Sequence, residues 1–416
     1  MPKHWTVKKV SAICKLRNGY PFDSKKFQPF GQQDNRLIRI RDLAPVESQV
    51  FTDESCPKSA WVFDGDLLIG MDGDFNIVRW AGGKAKLNQR VCALNASFEV
   101  EEKFVLYALP TPLKIINDLA YSTTVKHLSS TEVLKTQLAL PANDEELKRI
   151  VACLDRETAR IDALISKKTR FIELLREKRQ ALITHAVTKG LDPRVKMKDS
   201  RVEWLGEVPE HWDVKRLKFI ATVQTGVAKG KDTTGEKTVE VPYLRVANVQ
   251  DGYLDLSEVA TIEITASDLP RYLLQPGDVL MNEGGDFDKL GRGHVWNGEV
   301  ESCIHQNHVF AVRPHAVASR WLNTFTSSAA AQFYFMGRSK QSTNLASISS
   351  SNLMELAVPL PPDAEQIAIL DQLASALVRV DSSLQKTERS IELLKERRSA
   401  LITAAVTGQI DLREAA

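Results

Sequence analysis

Arg170-Phe171-Ile172-Glu173-Leu174-Leu175-Arg176-Glu177-Lys178-Arg179-Gln180-Ala181-Leu182-Ile183-Thr184 returns 219 positions later as Arg389-Ser390-Ile391-Glu392-Leu393-Leu394-Lys395-Glu396-Arg397-Arg398-Ser399-Ala400-Leu401-Ile402-Thr403. Aligned from Thr169 to Asp192 against Glu388 to Asp411, 15 of 24 positions are identical. A shift of about half of the 416 residues implies two equivalent units in one polypeptide, not a many-repeat solenoid.

The repeated stretch lies inside a longer helical pattern. Ile150, Leu154, Ile161, Ile165, Ile172, Leu175, Leu182 and Ala186 recur at spacings of three, four and their sum of seven, and neither Pro nor Gly intervenes before Gly190. Asn143 or Asp144 suits an N-cap, with Glu145 and Glu146 in the first turn, where the helix dipole favours negative charge. The spacing predicts a helix over 143–189, with about 43 periodic residues spanning roughly 65 Å. A second helix is expected over 363–408, after the stop Pro359-Leu360-Pro361-Pro362 and the cap Asp363.

Helices of this length seldom stand alone, because an apolar seam must be covered. Each could be a core helix of its own domain, or the two could cover each other. The expected seam is Leu154, Ile161, Ile172, Leu175 and Leu182 on the first helix, and Leu373, Val380, Ile391, Leu394 and Leu401 on the second. A pseudo-two-fold relation between the halves would run the helices antiparallel, as an intramolecular coiled coil.

The repeat extends beyond the helices. Pro2-Lys3-His4-Trp5-Thr6-Val7-Lys8-Lys9 matches Pro209-Glu210-His211-Trp212-Asp213-Val214-Lys215-Arg216, and Leu37-Ile38-Arg39-Ile40 parallels Tyr243-Leu244-Arg245-Val246. Gly65-Asp66-Leu67-Leu68 parallels Gly277-Asp278-Val279-Leu280, and Gly73-Asp74-Phe75 parallels Gly285-Asp286-Phe287. Short β-branched runs such as Leu37 to Ile40 and Trp61 to Ile69, punctuated by Gly, Asp and Pro, predict mixed α/β domains. The expected fold class is α+β: a domain over 1–142, the helix 143–189, a polar linker 190–208, a domain over 209–362, the helix 363–408 and a tail 409–416. A shared frame around divergent middles points to one scaffold carrying two different readers.

Hydrophobic content of 43% and charge of 26% describe an ordinary globular chain. No apolar run reaches the ~18 residues of a membrane span, and Met1-Pro2-Lys3-His4-Trp5 does not begin a signal peptide. Five scattered cysteines favour reduced thiols and a cytoplasmic setting. A net charge of +2 leaves both nucleic acid and protein partners open, because local patches matter more than the sum.

Catalytic motifs are scarce. The loop Gly230 to Thr238 lacks the Lys that should follow the second Gly of a phosphate loop. Cys303, His305 and His308 are close in sequence but lack a clear fourth ligand for zinc. No metal is expected, nor a cofactor held by this chain. Basic residues gather in the divergent loops instead: Arg36, Arg39 and Arg41, then Arg79, Lys84, Lys86 and Arg90. The second half has Lys229, Lys231, Arg245, Arg292, Arg338 and Lys340. A polar pair before a strand, Asn88-Gln89, is matched to His305-Gln306, with Asn248 and Asn307 nearby. Such side chains suit phosphates and base edges in double-stranded DNA, although solvated loop polarity accounts for any single one as well.

Glu203-Trp204-Leu205-Gly206-Glu207-Val208-Pro209-Glu210-His211-Trp212-Asp213-Val214-Lys215-Arg216-Leu217 resembles the opening of a target recognition domain in type I restriction–modification specificity subunits. The Pro-Leu-Pro-Pro stop and the Ile391 to Thr403 segment, with its earlier copy, are similar to that family's spacer regions. The resemblance covers essentially the whole chain. It implies a non-catalytic subunit whose two target recognition domains read a bipartite, asymmetric target, with the paired helices setting the gap. It further implies two methyltransferase subunits that use S-adenosylmethionine, and restriction subunits that use ATP and Mg where they are present. The first half lacks the Glu-Trp-Leu-Gly-Glu stretch, and Ala142-Asn143-Asp144 stands where the second half has Pro361-Pro362-Asp363. The competing reading is a coiled-coil adaptor that does not bind specific DNA, which explains the helices but not the duplicated domains.

Overall fold

The computed structural model describes residues 1–43, 49–119, 126–230, 235–285, 287, 290–341 and 346–410. The chain divides into two compact units, Met1–Thr169 with Arg389–Ala416, and Arg170–Glu388.

The first unit begins with β1 (Trp5–Lys9), β2 (Cys14–Asn18), β3 (Leu37–Ile38), β4 (Trp61–Val62) and β5 (Leu67–Gly70). It continues through β6 (Ile77–Arg79), β7 (Ala85–Leu87), β8 (Val91–Ala96), α1 (Glu99–Ala108), α2 (Pro110–Leu119), α3 (Ser130–Lys135) and β9 (Gln137–Pro141). One sheet has the order β2-β8-β5-β6, a second has β3-β7-β4, and β1 pairs with β9. Strands β5 and β8 are packed on both faces, which is why Leu67-Leu68-Ile69 reads as an unbroken apolar run. Alternation divides their side chains between two cores. Leu67, Ile69, Cys92 and Leu94 join Phe104 of α1, whereas Leu68, Val91 and Ala93 join Ile38, Leu87 and Trp80.

Helix α4 (Asp144–Lys189) leads on to β10 (Met197–Asp199), β11 (Glu207–Pro209), β12 (Asp213–Arg216), β13 (Ala221–Thr225), β14 (Thr238–Leu244) and β15 (Ala260–Thr265). Next come α5 (Leu269–Tyr272), β16 (Val279–Asn282), β17 (Gly284–Gly285), β18 (Gly293–Val295), β19 (Ile304–His305) and β20 (Val309–Pro314). The chain closes with α6 (Ser319–Thr326), α7 (Ala329–Arg338), β21 (Lys340–Gln341), β22 (Ala346–Ser347), α8 (Ser350–Met354), β23 (Ala357–Leu360) and α9 (Asp363–Val406). The second unit repeats the first: sheet β13-β20-β16-β18, sheet β15-β14-β19 and the pair β12-β23. Even the unusual parallel step recurs, β3 with β7 and β14 with β19. Val279, Met281, Phe310 and Val312 face one core, and Leu280, Val309 and Ala311 the other.

Where sequence predicts a strand from Trp61 to Ile69, a turn breaks it. The buried Asp66 carboxylate accepts from Phe63 N at 2.8 Å, as Asp278 accepts from Gln275 N at 2.8 Å. Each buried carboxylate is neutralised by an arginine from a different strand: Arg17 of β2 on Asp66 at 2.5 Å, Arg313 of β20 on Asp278 at 2.7 Å. The run from Leu37 likewise leaves the sheet after Ile38, in a 3-10 turn over Ile40–Leu43. The stretch 190–208, expected as a polar linker, contains β10 paired with β11. It is held there because Leu205 and Val208 are buried and Trp204 packs 5.3 Å from Tyr334.

A clamp built on the repeated His-Trp dipeptide anchors each long helix. Trp5 Nε1 donates to Glu146 at 3.1 Å and His4 Nε2 lies 2.9 Å from the same carboxylate. Trp212 Nε1 donates to Glu365 at 3.1 Å, with His211 Nε2 at 2.7 Å. Both glutamates lie in the first turn of their helix, and Asn143 caps α4 by accepting from Glu145 N at 2.9 Å. The left-handed Gly190 that ends α4 lies closest to the Trp212 ring, and Gly408 after α9 closes on Pro2 and Trp5.

Within the second unit Arg179 pairs with Asp381 at 3.0 Å and Arg176 with Glu388 at 3.3 Å, so these segments of α4 and α9 run in opposite directions. In the first unit Arg398 pairs with Asp162 at 2.9 Å. Leu154, Ile161, Ile172, Leu175, Leu373 and Val380 are buried, as the spacing predicts. Leu182, Ile391, Leu394 and Leu401 are half-buried, and Ile183, Ala186 and Val187 are buried near the end of α4.

Candidate nucleic-acid interface

A polar turn precedes the central strand of each unit. Gly19 and Gly226 let the backbone come close enough to shape it: a Cβ there would lie 2.0 Å from Asn88 O and from His305 O respectively. Backbone hydrogen bonds define the correspondence. Asn88 N donates to Ile38 O at 3.0 Å and Gln306 N to Leu244 O at 2.8 Å, while Gln89 N and Asn307 N reach Tyr20 O and Val227 O. Asn88-Gln89-Arg90 therefore corresponds to Gln306-Asn307-His308, one residue away from the match Asn88-Gln89 with His305-Gln306.

His305 takes the place of Leu87 and leaves the candidate interface. It is fully buried, its Nδ1 donates to Val309 O at 2.7 Å, and its Nε2 has no hydrogen-bond partner. Burial pushes the imidazole below its ordinary pKa. The unfolded chain thus binds a proton near pH ~6.5 that the folded chain refuses, so stability present above that pH falls as acid is added. His305→Leu, the residue type of the equivalent place, should weaken this acid sensitivity. Calorimetric melting of both proteins between about pH 8 and pH 5 reads the difference; identical pH profiles would refute the assignment.

Three more candidates are withdrawn on burial or pairing. Lys86 is buried and donates to Thr52 O at 2.7 Å and Glu54 O at 2.8 Å. Asn248 is buried, its amide donating to Asp255 O and Glu258 O at 2.9 Å. Arg79 bridges Glu102 at 3.0 Å and Glu99 at 3.4 Å, tying β6 to α1. Arg39 and Arg245 head equivalent turns: Arg39 N donates to Asp42 and Arg245 N to Asn248. Their guanidiniums pair with Asp42 at 2.9 Å and Glu258 at 3.3 Å.

The remaining residues are accessible. Arg36 stacks 4.9 Å over Trp80, and Lys84 lies 4.3 Å over Trp61 with Asp34 at 3.2 Å. Arg41, Gln89 and Arg90 are exposed, with Arg90 3.5 Å from Asp72. In the second unit Lys340 and His308 share a cleft of about 500 Å³ with Gln341, Gly284 and Gly285. Arg292 lies beside Gly285, its Nε buried without a hydrogen-bond partner. Arg338 is exposed, Lys229 borders a separate cavity of about 250 Å³, and Lys231 lies outside the described residues. Sequence reading overlooked His308 and Gln341 as interface residues. Aligning Val309 with Val91, the first residues of β20 and β8, would have matched His308 to Arg90.

Cys303, His305 and His308 do not converge. Burial pushes the Cys303 thiol up to about 12, and His308 turns outward to Glu283 at 2.8 Å. No group of three metal-ligating side chains occurs among the described residues, and no helix among them is long and apolar enough to cross a membrane.

The family described as "Type I restriction modification DNA specificity domain" matches residues 2–174 and again 209–394. The EcoBI specificity subunit of Escherichia coli is 27% identical over 420 residues, covering 98% of this chain and 86% of that subunit. The EcoKI specificity subunit of Escherichia coli K12 is 22% identical over 435 residues, covering 99% of this chain and 90% of that one. A chain solved in work on complex assembly and conformational transition of the type I R-M system superposes with a TM-score of 0.71 over 98% of each chain. Its identity of 17% makes that a likeness of fold. Matched twice along its length, with each match falling on one copy of the same strand-and-turn frame, the chain belongs to the type I restriction–modification DNA specificity family.

Proposed function

We propose that this chain selects the DNA sequence for a type I restriction–modification complex, each half reading one part of a bipartite, asymmetric duplex target. The observation that carries this reading is the double match of the specificity domain, together with a common frame that presents different side chains on equivalent turns. Residues 1–142 and 209–362 serve as target recognition domains, with 143–189 and 363–408 as spacer helices, 190–208 as the connection and 409–416 as a tail. Arg36, Arg41, Lys84, Asn88, Gln89 and Arg90 face DNA in the first domain, and Lys229, Arg292, Gln306, Asn307, Arg338 and Lys340 in the second. Phosphate contacts position the duplex and base contacts choose it.

The spacer helices form an antiparallel intramolecular coiled coil about a pseudo-two-fold axis. Reciprocity supports this: Arg179 pairs with Asp381, and its repeat Arg398 pairs with Asp162, the repeat of Asp381. The chain itself is non-catalytic and works in the cytoplasm with two methyltransferase subunits, joined by restriction subunits where the complex also cleaves. S-adenosylmethionine, and ATP with Mg for restriction, enter through those partners. Flipping the target adenine into a partner's pocket costs a few kcal/mol, so holding the duplex in place is this subunit's contribution.

Adenine-methylation mapping of host DNA with and without the gene tests the proposal. Loss of one motif made of two short blocks and a fixed gap is expected; an unchanged methylome in cells expressing the protein would sink it. Leu175→Asp should cost several kcal/mol by burying an unpaired charge, and Leu394→Asp less because Leu394 is only half-buried. Equal melting temperatures in wild type and both variants would count against the helix seam.

A further inference from the structure

Arg90 and His308 occupy one structural place in the two units. Met71 N donates to Arg90 O and Glu283 N to His308 O, both at 2.9 Å, and each residue directly precedes a central strand. Both side chains are accessible, at 54% and 58% exposure. Each is steadied by a carboxylate from just beyond the neighbouring strand, although the two acids are not equivalent: Asp72 lies 3.5 Å from Arg90 Nη1, and Glu283 lies 2.8 Å from His308 Nδ1. Asp72 also holds His127 Nδ1 at 2.7 Å, and Asn307 Nδ2 lies 3.4 Å from His308 Nε2. The surrounding frame is repeated while this residue differs, and nothing in the packing of an exposed side chain demands that difference.

We infer that Arg90 and His308 are equivalent base-reading residues, and that the difference between them helps make the two half-targets different. This rests on the DNA-reading function proposed above. Among the described residues the guanidinium pairs through Nη1 with Asp72, and Nη2 with Nε forms a fork that matches O6 and N7 of guanine in the major groove. The imidazole offers a single ring nitrogen, Nε2, beside the apolar and glycine-walled cleft that also holds Lys340 and Gln341. Gly284 and Gly285 bring no side chain between that cleft and an approaching base edge.

The test is selection of randomised split duplexes by the full-length protein, in whatever complex it purifies with, comparing wild type, Arg90→His and His308→Arg. Arg90→His should lose discrimination for one guanine in one half-target by roughly ten- to hundredfold. His308→Arg should acquire a guanine preference at one position of the other half. Unchanged base preferences in both variants beside a selective wild type would overturn the inference while leaving the DNA-reading function standing, as would a uniform loss of affinity without a change of motif. A wild type that selects no motif would remove that function and this inference with it. Thermal melting of both variants should match wild type, since both positions are exposed.

Discussion

Trp212→Ala should destabilise the second unit by about 3–5 kcal/mol, the usual cost of truncating a fully buried tryptophan. The ring is wholly buried and packs edge-on 5.6 Å from Trp321. Its Nε1 donates to Glu365 in the first turn of α9, and the ring fills the space beside Gly190 after α4. One side chain therefore ties the start of one long helix to the end of the other. Trp212→Phe keeps much of the packing but leaves Glu365 without that donor, so it should fall between wild type and the alanine variant. Trp5→Ala should act similarly on the first unit, through Phe104 at 6.5 Å and Glu146. Calorimetric unfolding decides: a melting temperature unaffected by Trp212→Ala would mean that the clamp does not hold the unit together.

Replacing residues 36–90 with the corresponding segment of another specificity subunit should rewrite one half of the methylated motif and leave the other half and the gap unchanged. The segment holds every accessible basic and amide side chain assigned to the first domain, while the clamp on Glu146 and the long helices lie outside it. Methylation mapping of cells carrying the exchanged gene reads both halves at once. A change in both halves together would contradict two independent readers.

Much of the frame was legible because it follows from local chemistry. The helical spacing from Ile150 onward, unbroken by Pro or Gly, predicts a helix over 143–189, and the structure has one at Asp144–Lys189. The second prediction, 363–408, compares with Asp363–Val406. The end of the apolar run from Trp61 to Ile69 likewise falls in a central strand, β5 at Leu67–Gly70. The candidate site was less legible. Sequence cannot distinguish Lys86, Asn248 and His305, which are buried inside the fold, from Lys84, Asn307 and His308, which are accessible. Each has the same polarity as its neighbour, and only packing separates them.

The sequence by itself determined that the chain is built twice and where its long helices run, because identity at a fixed shift and helical periodicity are properties of residue order. Tertiary structure alone decided which residues of the polar turn before each central strand are equivalent. A one-residue change of register moves every side chain between core and surface, and long-range hydrogen bonds such as Asn88 N to Ile38 O and Gln306 N to Leu244 O set that register. Those bonds place His305 in the core at Leu87's position and His308 on the surface at Arg90's.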